Sequence, residues 1–474
     1  MLFFSYPCLI LSFLGFCIYL YLPSSRRLAF LFLLSLIFYA YTGWANTLLL
    51  YALITINYFG AFGLNGPHKK FVFLALLSLN LLNLAFFKYT AFLLTSGARL
   101  LGLNLPEGPW QHIMLPIGIS FYTFELISYI VDVYKGRLPI CRSYLMVATF
   151  TTFFPHLIAG PIMRGHELFP QLAALPYPTP QQVQTGTLRF LLGIFKKLVW
   201  VDASLGPRVD AYFQAPIGSL TPAESLVAIL LFGFQIYLDF SAYCDMAVGL
   251  GLCFGVKLQE NFRTPYWSLS PMEFWQRWNI TLSRWIRDYL YIPLGGSQVS
   301  LGRATLNLIL TMFLAGLWHG ASINFGVWGL YHGALLVLYH FLTPIFPWLR
   351  PGQVRSQGKW LGKVVAWFIF FLLAQLGWLF FRAQSLAQTV AMLTSIFSLT
   401  GWTAVAARPK GLNLVFTCLA FHAVEAIAQN PRFRVADYWR RTPASLRGLV
   451  YAGLLLFIWL KASGNAKSFI YFQF

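Results

Sequence analysis

From Leu28 to Pro67 the chain carries no Lys, Arg, Asp or Glu, a run about twice the ~20 apolar residues that cross a bilayer. A backbone inside hydrocarbon must bond its own N–H and C=O groups, so a run of this kind dictates helix. The polar pause Thr42-Gly43-Trp44-Ala45-Asn46 divides it into two segments, each of about span length. Only 10% of the 474 residues are charged and 58% fall in the AVILMFWYC set, against roughly 25% charged in a soluble chain. That is too little charge to cover a water-facing surface, which excludes a soluble enzyme. The charges are also lopsided, 34 Lys+Arg against 14 Asp+Glu for a formal net charge of +20. They lie between apolar runs, where cytoplasmic loops hold excess Lys and Arg. The basicity therefore points to membrane topology and anionic lipid headgroups, not to nucleic acid.

Residues 1–25 have no charged side chain, and the first basic pair, Arg26 and Arg27, follows the apolar run. A secretory signal has the reverse order. The expectation is an uncleaved span with Arg26 and Arg27 in the cytoplasm and Met1 outside. Further apolar stretches lie near 71–95, 115–134, 144–162, 186–203, 225–256, 304–323, 325–346, 364–381, 411–428 and 448–460. Pro116 and Gly118 interrupt one of them, and Pro155, Gly160 and Pro161 another, as in re-entrant or broken helices covered by protein. The predicted fold is an all-α integral membrane protein of about 11 transmembrane helices plus half-helices. No internal repeat or soluble domain is evident, so the chain reads as one membrane unit: N-terminal spans 1–114, a core 115–333 and C-terminal spans 334–474. The six cysteines, Cys8, Cys17, Cys141, Cys244, Cys253 and Cys418, form no C-x-x-C pair and read as reduced packing residues.

Titratable side chains at membrane depth are costly and point to sites. Between Arg303 and Arg350 there is no Lys, Arg, Asp or Glu, yet this window holds His319, His332 and His340. At about 100° per residue, positions 319 and 332 of one straight helix point nearly apart, so they do not make a two-histidine site on one helix. His319 lies in Gly316-Leu317-Trp318-His319-Gly320, where small neighbours leave room beside the ring and Trp318 offers a flat wall. In a dry site such an imidazole can take a proton from an attacking hydroxyl. The same position also suits a core histidine joining two helices, the reading given to His332 and His340.

A second candidate is PMEFWQRWNITLSRWIRDYLYIPLGG, 271–296, which starts as a helix after Ser270 and ends at Pro293 and Gly295-Gly296. On a helix advancing about 100° per residue, Glu273, Arg277, Arg284 and Asp288 form one stripe of i,i+4 pairs. This stripe is either a solvated face or a basic rim for an anionic donor. Asn279 falls opposite, among Trp275, Leu282 and Ile286, where its amide needs a partner: local backbone, His319 or a substrate carbonyl. Glu125, Asp132, Asp239 and Asp245 are acids at apolar positions, a pattern that usually holds broken helices together through ion pairs. No P-loop, G-x-S-x-G or H-E-x-x-H motif occurs, which disfavours the corresponding ATPase, hydrolase and zinc-protease readings.

Six segments resemble the membrane-bound O-acyltransferase family, in particular its bacterial branch of alginate O-acetylases and D-alanyl transfer proteins. They are LPIGISFYTFELISYIVDVYKG (115–136), FFPHLIAGPIMR (153–164), YLDFSAYCDMAVGLGLCFG (237–255), the stretch 260–296, LAGLWHGASINFGVWGLYHG (314–333) and the terminal FIYFQF (469–474). The resemblance implies tilted helices around a central channel, with the family's essential histidine at His319. Its second motif position falls on Asn279, as in lipid- and sterol-acylating branches, where many polysaccharide-acetylating members have histidine. A single-base mechanism follows. Gln276 stands where an arginine is common.

The implied activity is transfer of an acetyl group from a cytoplasmic thioester, acetyl-CoA or an acyl carrier, to an extracytoplasmic hydroxyl on a polysaccharide or a periplasmic partner acetyltransferase. His319 is the expected base and Asn279 the residue that positions hydroxyl or carbonyl. Arg277, Arg284, Arg287, Trp278, Trp318 and Asp239 are the expected donor-binding residues. No metal or bound cofactor is called for, and the expected location is a bacterial cytoplasmic membrane. Two rivals stand beside this reading: a polysaccharide or ion-coupled transporter subunit, and an acyltransferase for lipid or protein with a long-chain donor.

Overall fold

The computed structural model describes residues 3–104, 108–346, 360–398, 402, 409–433, 435–461 and 469–470. Residues 471–474 of the terminal FIYFQF segment lie outside them. Every regular element among the described residues is helical, the outcome that lipid imposes on unpaired backbone. The chain runs through α1 (Tyr6–Tyr21), α2 (Ser24–Ala40), α3 (Trp44–Phe62), α4 (Lys69–Leu100), α5 (Ile119–Tyr134), α6 (Tyr144–Thr152), α7 (Gly165–Ala174) and α8 (Pro180–Phe195). A π-helical stretch, Lys196–Leu205, continues α8 into α9 (Gly206–Phe213), and the long α10 (Pro222–Cys253) follows. Two short helices, α11 (Pro271–Trp275) and α12 (Ile280–Ile286), precede the hairpin of α13 (Leu301–His319) and α14 (Ile323–Ile345). Then come α15 (Trp360–Arg382), α16 (Leu386–Phe397), α17 (Leu412–Gln429), α18 (Val435–Arg441) and α19 (Ala444–Lys461).

Eight helices among the described residues are long and apolar enough to cross a membrane, including α4, α10, α13, α14, α15, α17 and α19. Shorter pieces fill the other apolar stretches, such as α1 with 16 residues and α6 with 9. The prolines and glycines act where the sequence places them. α5 starts only after Gly118, whose φ of 78° suits a residue without Cβ. A Cβ there would also stand 2.8 Å from the Leu157 carbonyl oxygen. The stretch 144–162 is helical only to Thr152, and Phe153–Met163 continues as buried irregular backbone. The helices differ sharply in what surrounds them. Of the most apolar window of α10, 94% is buried, against 6% in α19, so α10 is a core helix and α19 faces outward.

Two compact units divide the chain, Met1–Leu191 with Tyr243–Glu260, and Leu192–Ala242 with the chain from Asn261 onward. In the first, Asn57 on α3 and Asn80 on α4 exchange amide hydrogen bonds, at 2.8 Å from Asn80 Nδ2 and 3.3 Å from Asn57 Nδ2. Glu125 on α5 accepts from the Met163 backbone N–H at 3.2 Å and meets His156 Nδ1 at 3.0 Å, which fastens the irregular segment to a helix. Arg189 on α8 grips Glu260 with both terminal nitrogens, at 2.6 and 2.5 Å, and Asp245 with Nε at 2.9 Å. Arg26 is exposed, but Arg27 is buried. Its guanidinium donates to the Leu22 and Leu175 carbonyls at 3.0 and 2.8 Å and stacks over Tyr177 at 3.3 Å.

The second unit is organised around the α13–α14 hairpin. A Cβ at Gly316 would stand 2.1 Å from the Phe325 carbonyl oxygen, and one at Gly329 would stand 2.3 Å from that of Met312. Backbone thus packs on backbone, the close approach that small residues permit between membrane helices. Gly329→Ala should lower stability by roughly 1–3 kcal/mol through this overlap. Gly448→Ala, with nothing within 4 Å of the new atom, should be neutral or slightly stabilising. Thermal unfolding of the two purified variants checks the contrast; equal melting temperatures would contradict it.

Candidate active site

His319 is the last residue of α13, and the Ser322 hydroxyl starts α14 by accepting from the Asn324 backbone N–H at 3.3 Å. The tight return between them holds the imidazole against α14. Its ring centroid lies 4.9 Å from Trp318, 5.0 Å from Trp328 and 5.2 Å from Phe381, all at steep interplanar angles. The side chain is 6% exposed. The glycines beside it do not leave the room that the sequence suggested. The hairpin backbone fills the space at Gly316, and the Phe325 ring fills that at Gly320, where a Cβ would stand 2.2 Å from it. The surroundings of His319 are set by aromatic walls, not by room beside its small neighbours.

His332 sits on α14, not on the helix of His319, and the two imidazoles flank the same indole. Trp328 lies 4.8 Å from His332 and 5.0 Å from His319. Trp275 stands 5.2 Å from His332, and Phe274 stacks on it at 6.1 Å and 6°. On the far side a Cβ at Gly377 of α15 would lie 2.7 Å from His332 Nε2.

The segment 271–296 is not one helix. α11 ends at Trp275, and α12 begins after Asn279, which adopts the left-handed conformation at φ 41° and ψ 55°. Asparagine tolerates this region better than most residues. The elbow is stitched to the strand of chain before it. Ile280 N–H donates to the Asn261 carbonyl at 3.0 Å, and Thr281 donates its N–H and hydroxyl to Asn261 Oδ1 at 3.1 and 2.7 Å. The single charged stripe is therefore broken. Glu273 and Arg277 pair as expected at 2.8 Å, whereas Asp288 meets its neighbour Arg287 at 2.7 Å. Arg284 and Arg287 are exposed, and Arg277 is half-buried.

Asn279 is 2% exposed, and its Nδ2 has no hydrogen-bond partner among the described residues. It is not alone. His332 Nε2, both amide atoms of Gln375, and the indole N–H groups of Trp275, Trp328 and Trp378 are likewise buried without partners. Ring contacts connect them: Trp328 lies 5.8 Å from Trp275 and 5.9 Å from Trp378, and Trp378 lies 4.6 Å from Trp278, which precedes Asn279. A buried donor left unbonded costs about 1–3 kcal/mol. A cluster of this size calls for water or ligand atoms to complete it. Its donors carry no charge and can bond a carbonyl or hydroxyl oxygen.

Two of the expected donor residues lie deeper than a binding rim. Trp278 is 1% exposed and packs on Phe274, Phe262 and Trp378 at 5.6, 5.1 and 4.6 Å. Asp239 on α10 meets Lys197 Nζ at 3.0 Å and accepts from the Ile470 backbone N–H at 2.8 Å. Lys197 also meets Asp202 at 3.0 Å. The neighbouring Lys196 pairs with Glu425. The sequence reading passed over these two lysines and over His422 and Glu425, although they lie at membrane depth in stretches already marked as apolar. The rule applied to the acids would have found them.

Comparison with known proteins supplies the family. The MBOAT, membrane-bound O-acyltransferase, family profile matches residues 141–382, a span that contains Asn279, His319 and the hairpin. The chain is 38% identical over 408 residues to a probable alginate O-acetylase, AlgI, of Azotobacter vinelandii, covering 84% of this chain and 79% of that protein. It is 35% identical over 440 residues to a peptidoglycan O-acetyltransferase of Helicobacter pylori, covering 84% and 80%. A teichoic acid D-alanyltransferase of Bacillus subtilis is 27% identical over 267 residues, covering 54% and 66%. The chain belongs to the membrane-bound O-acyltransferase family. It is a multi-pass membrane protein and an O-acyltransferase, and the transporter reading falls away.

The elbow at Asn279 carries its own stability prediction. Asn279→Gly keeps access to the left-handed region, whereas Asn279→Ala strains it, so the alanine variant should be less stable than the glycine variant by about 1 kcal/mol. Thermal unfolding in detergent measures the difference. Alanine at least as stable as glycine would mean that the elbow does not hold that conformation.

Proposed function

We propose that this enzyme moves an acetyl group from a cytoplasmic thioester, acetyl-CoA being the donor, to a hydroxyl on the other side of a bacterial cytoplasmic membrane. The acceptor is an extracytoplasmic polysaccharide or a partner acetyltransferase that passes the group on. The observation that carries this reading is the buried imidazole of His319, held between Trp318, Trp328 and Phe381 within the family-matched span. The names of the alginate and peptidoglycan relatives supply the acetyl group and the class of acceptor.

A charged donor and a hydrophilic acceptor on opposite sides of a membrane cannot meet unless a passage through the protein brings both to one point. His319 takes the proton from the attacking hydroxyl, and the oxygen forms its bond to the thioester carbon. The C–S bond breaks, and the departing thiolate takes up that proton. Asn279 Nδ2, lacking a partner among the described residues, donates to the carbonyl oxygen as negative charge develops on it, a contribution worth about 10²–10³ in rate for one such donor. Trp318 and the other cage rings limit water around the thioester. Arg277 is half-buried against Glu273, whereas Arg284 and Arg287 are exposed, Arg287 beside Asp288, and these two exposed cations receive the donor phosphates.

The test is release of free CoA by the purified chain, with an alginate oligosaccharide as acceptor. Acetyl-CoA should be consumed and palmitoyl-CoA should not. His319→Ala should lower turnover by about 10²–10⁴, the usual worth of a general base, with membrane insertion intact. Asn279→Ala should lose less. Full turnover by His319→Ala would refute the base assignment, and preference for palmitoyl-CoA would refute the acetyl donor.

A further inference from the structure

Besides His332, the same unit holds another buried imidazole that the reaction above leaves unused. His422 lies in the middle of α17 and is 1% exposed. Its Nδ1 stands 3.1 Å from Glu425 Oε2, one turn further along the helix. That carboxylate is held from two other directions. Tyr237 on α10 donates its hydroxyl to Oε2 at 2.9 Å, and the Lys196 ammonium, on the π-helical stretch, pairs with Oε1. A carboxylate so engaged only accepts, so Nδ1 donates in this contact, and in the neutral imidazole Nε2 then presents its lone pair. Nε2 is buried and has no hydrogen-bond partner among the described residues.

The imidazole orientation is fixed by its walls as well as by Glu425. Trp267 lies parallel to the ring at 6.2 Å and 3°, and donates its indole N–H to the His422 carbonyl at 3.3 Å. Tyr237 and Tyr266 stand at 4.9 and 5.7 Å. Those two tyrosine rings are in turn 6.2 and 6.1 Å from Trp278, the residue before Asn279. A carboxylate that orients a histidine while the other ring nitrogen stays available is the arrangement by which proteins prepare an imidazole to accept a proton or a hydrogen bond. A residue needed only to tie α17 to α10 would not require a bare, buried Nε2, which costs about 1–3 kcal/mol if nothing bonds to it.

We propose that His422 is a positioning residue for the acyl transfer, whose Nε2 accepts a hydrogen bond from an O–H group bound beside the Trp278–Asn279 elbow. The O–H belongs either to the acceptor or to an internal water that holds the acceptor. Lys196, Glu425 and Tyr237 are the groups that keep the imidazole aimed. This rests on the acetyl-transfer reading with His319 as base.

Two half-mimics of histidine separate this role from a structural one. His422→Asn places an amide N–H where Nδ1 was and keeps the Glu425 contact, but has nothing at Nε2. His422→Gln can place its amide oxygen near the Nε2 position, but loosens the Glu425 contact. Both are purified as full-length chains and assayed for CoA release from acetyl-CoA with the alginate oligosaccharide, per folded molecule, alongside thermal unfolding. Asn should melt near the parent yet turn over at least about tenfold more slowly. Gln should melt lower and retain more activity than Asn. A raised KM for the oligosaccharide in the Asn variant assigns the O–H to the acceptor, and an unchanged KM with lowered kcat assigns it to water. Parent-like turnover by His422→Asn, or activity that follows melting temperature in both variants, would overturn the proposal. If His319→Ala were fully active, the base assignment itself would fail; an inactive His319→Ala with a fully active His422→Asn would remove His422 alone.

Discussion

The backbone contact between α13 and α14 sets everything at the site. With glycine at 316 and 329 the two helices approach until Cα and carbonyl atoms touch, closer than any side chain would allow. That approach brings Trp328 of α14 to 5.0 Å from His319, while His332, one turn along the same helix, lies 4.8 Å from its other side. It also leaves α15 to close the cage with Trp378 and Phe381. A histidine at the end of a helix is ordinarily wet and mobile. Here the tight return at Gly320–Ser322 and the aromatic walls make it a buried, oriented group, which a general base requires.

Charge at membrane depth is handled by pairing. Arg189 joins two carboxylates, Lys197 joins Asp202 and Asp239, and Lys196 meets Glu425. Removing one partner of such a pair leaves an uncompensated charge, which costs more than the pair contributes. The uncharged cluster around Trp328 is different in kind. Its amides, indoles and imidazole are donors and acceptors without partners among the described residues, and the proposed reaction uses that incompleteness for a substrate carbonyl or hydroxyl.

Much of this was legible in the amino-acid sequence. Uncharged runs announced membrane helices, Pro155 and Gly160 announced the end of α6, and three histidines in a charge-free window pointed to α13 and α14. His319 and Asn279 were found from that window and from the apolar side of a supposed helix. What helical periodicity could not foresee was the elbow at Asn279, because in an apolar, well-patterned stretch an asparagine that tolerates the left-handed region is only a weak local signal. The wheel that paired Arg284 with Asp288 failed because the chain turns π-helical at Arg287–Tyr291, which shifts the register, and Asp288 pairs with Arg287. The glycines around His319 were read as empty space when they are contact points, since a sequence shows the missing side chain but not what fills its place. Lys196 and Lys197 were overlooked among apolar neighbours, and their partners on α10 and α17 are far apart in the chain.

The central claim is that donor and acceptor reach one imidazole from opposite aqueous compartments. Liposomes containing the protein, with labelled acetyl-CoA supplied on one side and the hydroxyl acceptor sealed on the other, test it most directly. The account predicts labelled ester in the compartment that never held the thioester, and none when His319 is replaced by alanine. Ester formed only where donor and acceptor share a compartment would contradict it.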